Sequence, residues 1–228
     1  MSSNCDVLVV GAGPVGLFLA CDLTRRDLDV RVVDKNDGPT DLSKAIGIHA
    51  RSLELFQDLG IIERAIERGQ IENGALFYSA DHFLADIRLD KLDAPYPMLL
   101  DLEQAQTERL LMERLAELGG RDERQTELVG FVQDDEGVTA TLKTSSGEET
   151  CRARFMVGCD GAHSAVRHGL GSDFDREAFP GNMLLADVKL DWELPPTASW
   201  SNSAMTACSL LPPSRAAARG SSPMSPAM

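Results

Sequence analysis

A glycine turn near the N-terminus constrains this chain more than any other feature. An apolar run at residues 7–10 predicts a buried strand, and the turn Gly11-Ala12-Gly13-Pro14-Val15-Gly16 follows it directly. A helical pattern then reaches about residue 26, and a second apolar run at residues 30–33 ends in Asp34. Strand, glycine turn, helix, strand and acid in this order predict a β-α-β unit that binds a dinucleotide.

Each glycine of the turn has a distinct expected role. Gly11 permits the tight turn, Gly13 lets the backbone approach a pyrophosphate, and Gly16 lets the helix pack close to the sheet. The helix N-terminus offers N–H groups and a positive dipole end to phosphates. Asp34, 18 residues beyond Gly16, is placed to accept hydrogen bonds from ribose hydroxyls. A plain glycine turn is the alternative, and because NAD and FAD share the motif, the dinucleotide stays open here.

The composition restricts the classes of partner. The 228 residues carry a net charge of −14, which argues against nucleic acid and against anionic membrane surfaces. The hydrophobic share of 43 % and the charged share of 25 % are those of a soluble globular protein. The five cysteines are scattered and form no CxxC pair, so reduced thiols in a cytoplasmic protein are expected.

No metal site and no targeting segment are expected. Cys159, His163 and His168 come closest to a metal-ligand cluster, but their spacing does not match a zinc motif. Residues 7–21 resemble a signal peptide, yet no Lys or Arg precedes them and three glycines and a proline interrupt them. A buried strand and helix explain this segment better, and no run reaches the ~18 apolar residues that span a membrane.

Further elements follow from periodicity and turn residues. Helices are predicted within 45–59 and over 61–68 and 103–118, and strands over 75–79, 83–89, 98–102, 127–133, 138–143 and 150–157. The three strands between 74 and 102 predict a β excursion away from the nucleotide-binding sheet. The last three strands, joined by DDEG and SSGE turns, predict a meander.

The segment after residue 155 carries a second polar signal. An apolar strand runs into Asp160-Gly161 and a short helix. An acid at the end of a buried strand costs free energy unless a polar group meets it, and open α/β sheets bind ligands at the carboxyl ends of their strands. A simple Asp-Gly turn before a capped helix is the alternative.

Taken together, these segments resemble the FAD-dependent aromatic hydroxylases, the p-hydroxybenzoate hydroxylase-like flavoprotein monooxygenases. Phenol-hydroxylase and polyketide-hydroxylase types are the most similar, and the resemblance spans roughly residues 5–193. The shared motifs are GxGxxG with Asp34, the segment SKAIGIHARSLELFQDLGI with the later QxxTERLL, and DGxxSxxR at Asp160, Gly161, Ser164 and Arg167. The Asp-Gly motif at this distance from the glycine turn separates the chain from NAD-only dehydrogenases.

The resemblance implies which residues hold the adenosine diphosphate half of FAD. The glycine turn, with Pro14 and Val15, would bind the pyrophosphate. Asp34, where the family more often has Glu, would bind the adenosine ribose, with Lys35 next to it among the cofactor-binding residues.

Other residues are implied nearer to the flavin. Arg51 and Gln104 would approach FAD, and Asp160 would touch its flavin side through a motif that also serves NAD(P)H. Lys44 stands where the family has an arginine, so a bidentate contact there is weakened or lost. No catalytic residue is identified.

The chemistry implied by the resemblance belongs to the cofactor. NAD(P)H reduces the flavin, and the reduced flavin reacts with O2 to give a C4a-hydroperoxide that hydroxylates a phenol-like ring. A small aromatic substrate and O2 are therefore the implied partners. The protein would position the ring and exclude water.

The expected fold class is α/β, with a Rossmann-like FAD-binding domain and an incomplete β substrate domain. The FAD-binding domain, a parallel sheet plus a three-stranded meander, is expected over 1–73 and 103–174, with partial substrate-domain strands over 74–102 and 175–193. The family's third FAD motif, Gly-Asp-Ala-Ala-His or similar, has no counterpart, and residues 194–228 contain none of the 36 acidic residues. This tail is therefore predicted to be disordered or frame-shifted.

Truncation predicts weak FAD affinity and little or no turnover. Two other functions stay open on the sequence: a noncatalytic nucleotide-binding fragment, and a flavin-free NAD(P)-dependent oxidoreductase. Flavin absorbance near ~450 nm in purified protein would separate the leading hypothesis from both, since that chromophore belongs to the cofactor.

Overall fold

The computed structural model describes residues 2–39, 47–79 and 82–175. Residues 2–39 and 104–175 form one compact unit, called the first unit below, and residues 47–79 and 82–103 form the second unit. The predictions for Lys44, for the substrate-domain strands within 176–193 and for the tail at 194–228 lie outside the described residues.

The helices and longer strands lie where the sequence predicts them, except that the first strand starts at Ser2 instead of residue 7, and three strands of two or three residues were not predicted. The strands are β1 (Ser2–Val10), β2 (Val30–Val33), β3 (Gly47–Ile48), β4 (Gln70–Glu72), β5 (Gly74–Ser79), β6 (His82–Arg88), β7 (Leu99–Asp101), β8 (Asp122–Glu123), β9 (Glu127–Asp134), β10 (Gly137–Thr144) and β11 (Gly147–Gly158). The helices are α1 (Pro14–Thr24), α2 (Ala50–Asp58), α3 (Ile62–Arg68), α4 (Gln104–Glu117) and α5 (Ala165–Gly169), with single 3-10 turns at Leu89–Lys91 and Gly161–His163.

The first unit is built on a six-stranded sheet in the order β8-β2-β1-β11-β10-β9. Strands β8, β2, β1 and β11 run parallel, and β10 and β9 continue the sheet as an antiparallel meander. This is the predicted Rossmann-like sheet with its three-stranded meander. Strand β11 belongs to both parts, because it pairs with β1 on one side and with β10 on the other.

The helices of the first unit bury the stripes that their sequences predict. On α1, Leu17, Ala20 and Cys21 are buried, as are Leu110 and Leu111 on α4. The Cys21 thiol donates to the backbone carbonyl of Leu111 at 3.4 Å, which joins the two helices directly. Burial raises the pKa of the Cys21 thiol to about 12, so this side chain is neutral and behaves as a small apolar group.

The meander shows the alternation that its sequence predicts. Val138, Ala140 and Leu142 are buried, whereas Thr139 and Thr141 between them are only partly covered. One face of β10 therefore packs on the core and the other faces outward, as period-two patterning requires.

The second unit has two small sheets. Strand β7 pairs antiparallel with β3 and β4, whereas β5 and β6 form a separate hairpin. The strand predicted at 98–102 is therefore present but does not pair with the strands predicted at 75–79 and 83–89. Leu89, placed at the end of a strand by the sequence, belongs to a 3-10 turn instead.

The described residues were compared with the requirements for a membrane-spanning helix and for a metal site. No helix there is long and apolar enough to span a bilayer. No group of three or more His, Cys, Asp or Glu side chains in residues 2–39, 47–79 and 82–175 is placed to hold a metal ion.

Candidate functional site

The glycine turn and the Asp-Gly segment meet where β1 and β11 end. The two strands run parallel from Ser2 beside Thr150 to Val10 beside Gly158. Beyond them, the backbone N–H of Cys159 donates to the carbonyl of Val10 at 2.7 Å. Two segments about 150 residues apart in the chain are thus held side by side at the carboxyl edge of the sheet, where α/β folds bind ligands.

Gly11 and Gly16 have conformations or contacts that only glycine allows. Gly11 has φ +104°, and a Cβ there would lie 2.4 Å from the carbonyl oxygen of Cys159. A Cβ at Gly16 would lie 1.9 Å from the carbonyl oxygen of Gly11. The turn is therefore packed against both the start of α1 and the Asp-Gly segment.

Gly13 is different, because the space beside it is open. It precedes Pro14 as the N-cap of α1, and a Cβ built on it would meet no heavy atom within 4 Å. Within the described residues no side chain caps this helix, and its first turn contains no acid. Val15 is 71 % exposed. The N-terminus of α1 is thus accessible and suited to an anion.

Asp34, at the end of β2, is bonded to the glycine turn itself. Its Oδ2 accepts from the backbone N–H of Ala12 at 2.7 Å. Its Oδ1 accepts from the backbone N–H and the side-chain amide of Asn36 at 2.8 and 2.9 Å. Since a carboxylate has about four acceptor positions, roughly one remains for a ligand hydroxyl. Lys35, the next residue, lines the cavity that is described below.

Asp160 caps the short helix α5 with one oxygen and leaves the other unused. Its Oδ2 accepts from the backbone N–H groups of Ala165 and Val166 at 2.6 and 3.3 Å. Its Oδ1 is buried and has no hydrogen-bond partner among the described residues. Gly161, with φ +73°, permits the turn that follows.

The other two residues of the Asp-Gly motif make local contacts. Ser164 is buried, and its Oγ accepts from the backbone N–H of Arg167 at 3.0 Å, as an N-cap does. Arg167 donates to the carbonyl of Ala162 at 3.1 Å and lies 4.9 Å from the ring centre of Phe174. Neither Ser164 nor Arg167 lines the cavity described below.

Gln104, at the start of α4, is oriented by a buried acid. Its Nε2 donates to Oε1 of Glu108 at 2.9 Å, and Glu108 is only 3 % exposed. This contact assigns the amide nitrogen of Gln104 to the Glu108 side. The amide oxygen is left as the acceptor for other groups. Glu108 was not among the sequence-predicted site residues, although its i+4 spacing from Gln104 on one helix face could have indicated it.

One cavity of about 760 Å³ within the first unit, a volume typical of small-molecule sites, is lined by Gly11, Gly13, Asp34, Gln104, Glu108 and Asp160, among others. The charged residues among the lining are Asp34, Asp37, Glu108, Glu127, Asp160, Lys35 and Arg124. Burial raises the pKa of Cys159, another lining residue, so it contributes a neutral thiol. Acids outnumber cations here, which leaves the helix N-terminus, Lys35 and Arg124 as the groups suited to an anion.

Arg51 lies in the second unit, in the first turn of α2. Its side chain is 77 % exposed and forms an ion pair with Glu54 one turn further along the helix. Its suggested contact with FAD stays a prediction, as does that of Lys44.

Arg124 lines the cavity of the first unit but was missed by the sequence analysis, because it belongs to no recognised motif.

Comparison with known proteins identifies the cofactor class. Residues 4–225 match the family described as FAD binding domain. The chain belongs to this FAD-binding family. The resemblance to FAD-dependent aromatic hydroxylases is thereby confirmed. The match also includes most of the tail at 194–228, so the frame-shift hypothesis stays a prediction without support from the comparison.

Relatives of this FAD-binding chain are named as monooxygenases. It is 40 % identical to the rifampicin monooxygenase of Streptomyces venezuelae, over 81 % of this chain and 38 % of that protein. It is 36 % identical to the pentachlorophenol 4-monooxygenase of Sphingobium chlorophenolicum, over 80 % and 35 %. The chain thus spans little more than a third of these curated relatives.

Solved structures agree. The anhydrotetracycline hydroxylase OxyS of Streptomyces rimosus superposes with a TM-score of 0.70 at 34 % identity, covering 77 % of this chain and 35 % of that one. The p-nitrophenol 4-monooxygenase PnpA of Pseudomonas putida gives 0.73 at 25 % identity, covering 76 % and 45 %. The fold of this FAD-binding chain is therefore that of the flavoprotein monooxygenases.

Proposed function

We propose that this chain binds FAD in the cavity of its first unit and serves an NAD(P)H-dependent monooxygenase that hydroxylates a phenol-like ring. The observation that carries the proposal is Oδ1 of Asp160, which is buried and has no hydrogen-bond partner within residues 2–39, 47–79 and 82–175. Such an oxygen costs free energy until a donor meets it. Hydroxyl groups are suitable donors, and FAD carries several along its ribityl chain and on its ribose.

The pyrophosphate of FAD fits the glycine turn. The uncapped N-terminus of α1 supplies N–H groups and a positive dipole end, and the open space at Gly13 lets a phosphate approach the backbone. Lys35 and Arg124 add positive charge among the lining carboxylates. The flavin-free alternative gains nothing from the comparisons, since the matched family binds FAD.

The remaining polar groups would hold the sugar and ring atoms of the cofactor. Asp34 has about one acceptor position left for a ribose hydroxyl. Gln104, with its nitrogen bonded to Glu108, would offer its oxygen to an N–H group of the cofactor. Both residues thus act as acceptors, which suits a ligand rich in hydroxyl and N–H donors.

When bound and reduced by NADH or NADPH, FAD supplies the activation of O2 and the transfer of one oxygen atom to an aromatic ring. This chain contributes the binding, orientation and polarity of the cofactor site. The substrate class follows from relatives named for rifampicin, anhydrotetracycline and pentachlorophenol. The expectation that this chain alone binds FAD weakly and turns over little stays a prediction.

The variant Asp160→Asn tests the cofactor site. An asparagine can still cap α5 with its oxygen, but it then directs an uncharged NH2 group to the place of Oδ1, so the hydrogen bond from a ligand hydroxyl to a charged acceptor is lost. We expect FAD to bind about tenfold or more weakly, the loss of one hydrogen bond to a charged acceptor. The measurements are quenching of FAD fluorescence and flavin absorbance in the purified protein.

The control is Asp134→Asn, which changes a carboxylate that is 58 % exposed in the same unit and should leave FAD affinity unchanged. A wild-type protein that binds no FAD would refute the proposal. Oxidation of NAD(P)H by flavin-free protein would instead favour the dehydrogenase alternative. Hydroxylated product from a panel of phenols, formed only with FAD present, would establish the reaction.

A further inference from the structure

Arg124 joins three segments around the proposed FAD cavity. It directly follows β8, and its side chain is 14 % exposed. One Nη donates to the carbonyl of Ala12 in the glycine turn at 3.1 Å, and the other donates to the carbonyl of Gly38, in the loop after β2, also at 3.1 Å. Its Nε forms an ion pair with Asp122 of β8. A single planar group therefore bridges the turn, the loop and the sheet.

Both of the bridged segments that are not part of the sheet line the cavity. The loop at 35–38 lines it with Lys35, Asn36, Asp37 and Gly38, and the turn lines it with residues 11–15. Asp34 already ties Ala12 to the same loop, because its carboxylate accepts from the N–H of Ala12 and from Asn36. Ala12 is thus held through its N–H by Asp34 and through its carbonyl by Arg124.

The geometry favours a mechanical role over a purely electrostatic one. The charge of Arg124 is balanced by Asp122, which is itself only 11 % exposed. The two Nη groups of the planar guanidinium donate to two different carbonyls, those of Gly38 and Ala12. A lysine ammonium cannot reproduce this arrangement. The guanidinium group is therefore placed to set the separation between the turn and the loop.

We propose that Arg124 is a positioning residue that holds the glycine turn and the 35–38 loop at the separation that FAD binding requires. The proposal rests on the proposed function for its cofactor, and it adds a residue that neither the motifs nor the family match identifies. Arg124 acts through the backbone of Ala12 and Gly38. It keeps the phosphate-binding N–H groups and the carboxylate of Asp34 at fixed positions relative to each other.

The test compares Arg124→Met and Arg124→Lys with Arg152→Met. Arg152 lies on β11 of the same unit, donates twice to Asp134 and is 30 % exposed, so it is a matched arginine away from the cavity. Hydrogen exchange is measured on the FAD-free proteins for peptides covering 11–16 and 35–39. FAD affinity is measured by fluorescence quenching, and overall folding by thermal unfolding.

Both Arg124 variants should exchange at least tenfold faster in these two segments, with unchanged exchange in the meander, and should bind FAD at least tenfold more weakly. The lysine variant keeps the ion pair to Asp122, so it reports on the fork if the methionine variant does not fold. Arg152→Met should match the wild type in both readouts.

Three outcomes decide the proposal. Wild-type exchange in both segments of Arg124→Lys, or FAD affinity within twofold of wild type, would overturn it. Faster exchange spread evenly over the whole unit would also overturn it, because it would show a general structural role. If the wild type binds no FAD, the proposed function fails, while localised exchange in the variants would still support the positioning of the two segments.

Discussion

Glu72 is a residue whose protonation the fold changes. It lies on β4, is 4 % exposed, and shares the sheet β3-β7-β4 with Asp101, which is 6 % exposed. Burial, and to a smaller extent the carboxylate of Asp101, together raise the pKa of Glu72 from 4.5 to about 7. The second unit therefore takes up a proton at Glu72 when it folds near neutral pH.

The pH dependence follows from linkage. A carboxyl group with a raised folded pKa contributes its full stability below about pH 4.5, and this contribution is lost as the pH rises through about 7. Glu72→Gln mimics the protonated form. We expect it to change little at pH 5 and to raise the free energy of unfolding by about 1–3 kcal/mol at pH 8.

Chemical unfolding followed by circular dichroism at both pH values measures this difference. The control is Glu67→Gln, an exposed acid on α3 of the same unit, which should show no such pH-dependent gain. Equal stabilities of Glu72→Gln and wild type at pH 8 would show that Glu72 is not the group that titrates.

At the scale of one element, two glycines at the start of α1 differ in the space around them: Gly13 is the N-cap of the helix, and Gly16 lies in its first turn. Gly13 has φ −79° and ψ −176°, which any residue adopts, and open space at its Cβ position. At Gly16 a Cβ would collide with the backbone of Gly11. The same Gly→Ala change therefore tests ligand space at one position and packing at the other.

We expect Gly13→Ala to fold as stably as the wild type or up to about 1 kcal/mol more stably, because alanine restricts the unfolded chain. It should nevertheless bind FAD more weakly, since the methyl group occupies space that a phosphate would use. Gly16→Ala should lose about 2 kcal/mol or more through overpacking. Thermal unfolding and FAD titration of the pair measure both effects, and a stable Gly16→Ala would contradict the packing argument.

Short strands show where pattern reading fails at this scale. Strands β3, β4 and β8 contain two or three residues each, too few for a period-two pattern to develop. They form because partners are already in place: β8 pairs with β2, and β3 and β4 flank β7. The longer strands and all of the helices carried their own periodicity and were predicted within a few residues.

At the scale of the whole molecule, the net charge of −14 should oppose FAD binding. The two phosphates of FAD are negative, and most charged residues lining the cavity are acidic. Raising the salt from about 20 to about 200 mM shortens the Debye length from roughly 20 to 7 Å, so the affinity for FAD should increase about two- to fivefold.

Titration of FAD at both salt concentrations measures this effect, and riboflavin, which lacks the phosphates, is the control ligand. Its affinity should not respond to salt in the same way. A marked weakening of FAD binding by salt would show instead that attraction from Lys35 and the N-terminus of α1 dominates over the repulsion from the whole chain.

The sequence by itself determined the β-α-β frame, because each of its signals is local. The backbone freedom of Gly11, the helical stripe through Leu17 and Cys21, and the acid after β2 all act within a few residues of themselves. The same holds for the Asp160-Gly161 turn at the end of β11. These features are sufficient to predict the Rossmann-like unit and, with the family resemblance, FAD.

Only the tertiary structure decided what each polar group does. The pairing of β1 with β11 brings Cys159 and Asp160 beside Gly11, and Oδ1 of Asp160 is buried there without a partner in the described part of the chain. The same sheet places Arg124 on the carbonyls of Ala12 and Gly38, and it directs most of the carboxylate of Asp34 to the protein backbone. Hydrogen bonding and burial at these sites depend on contacts between residues up to about 150 positions apart, which no local pattern encodes.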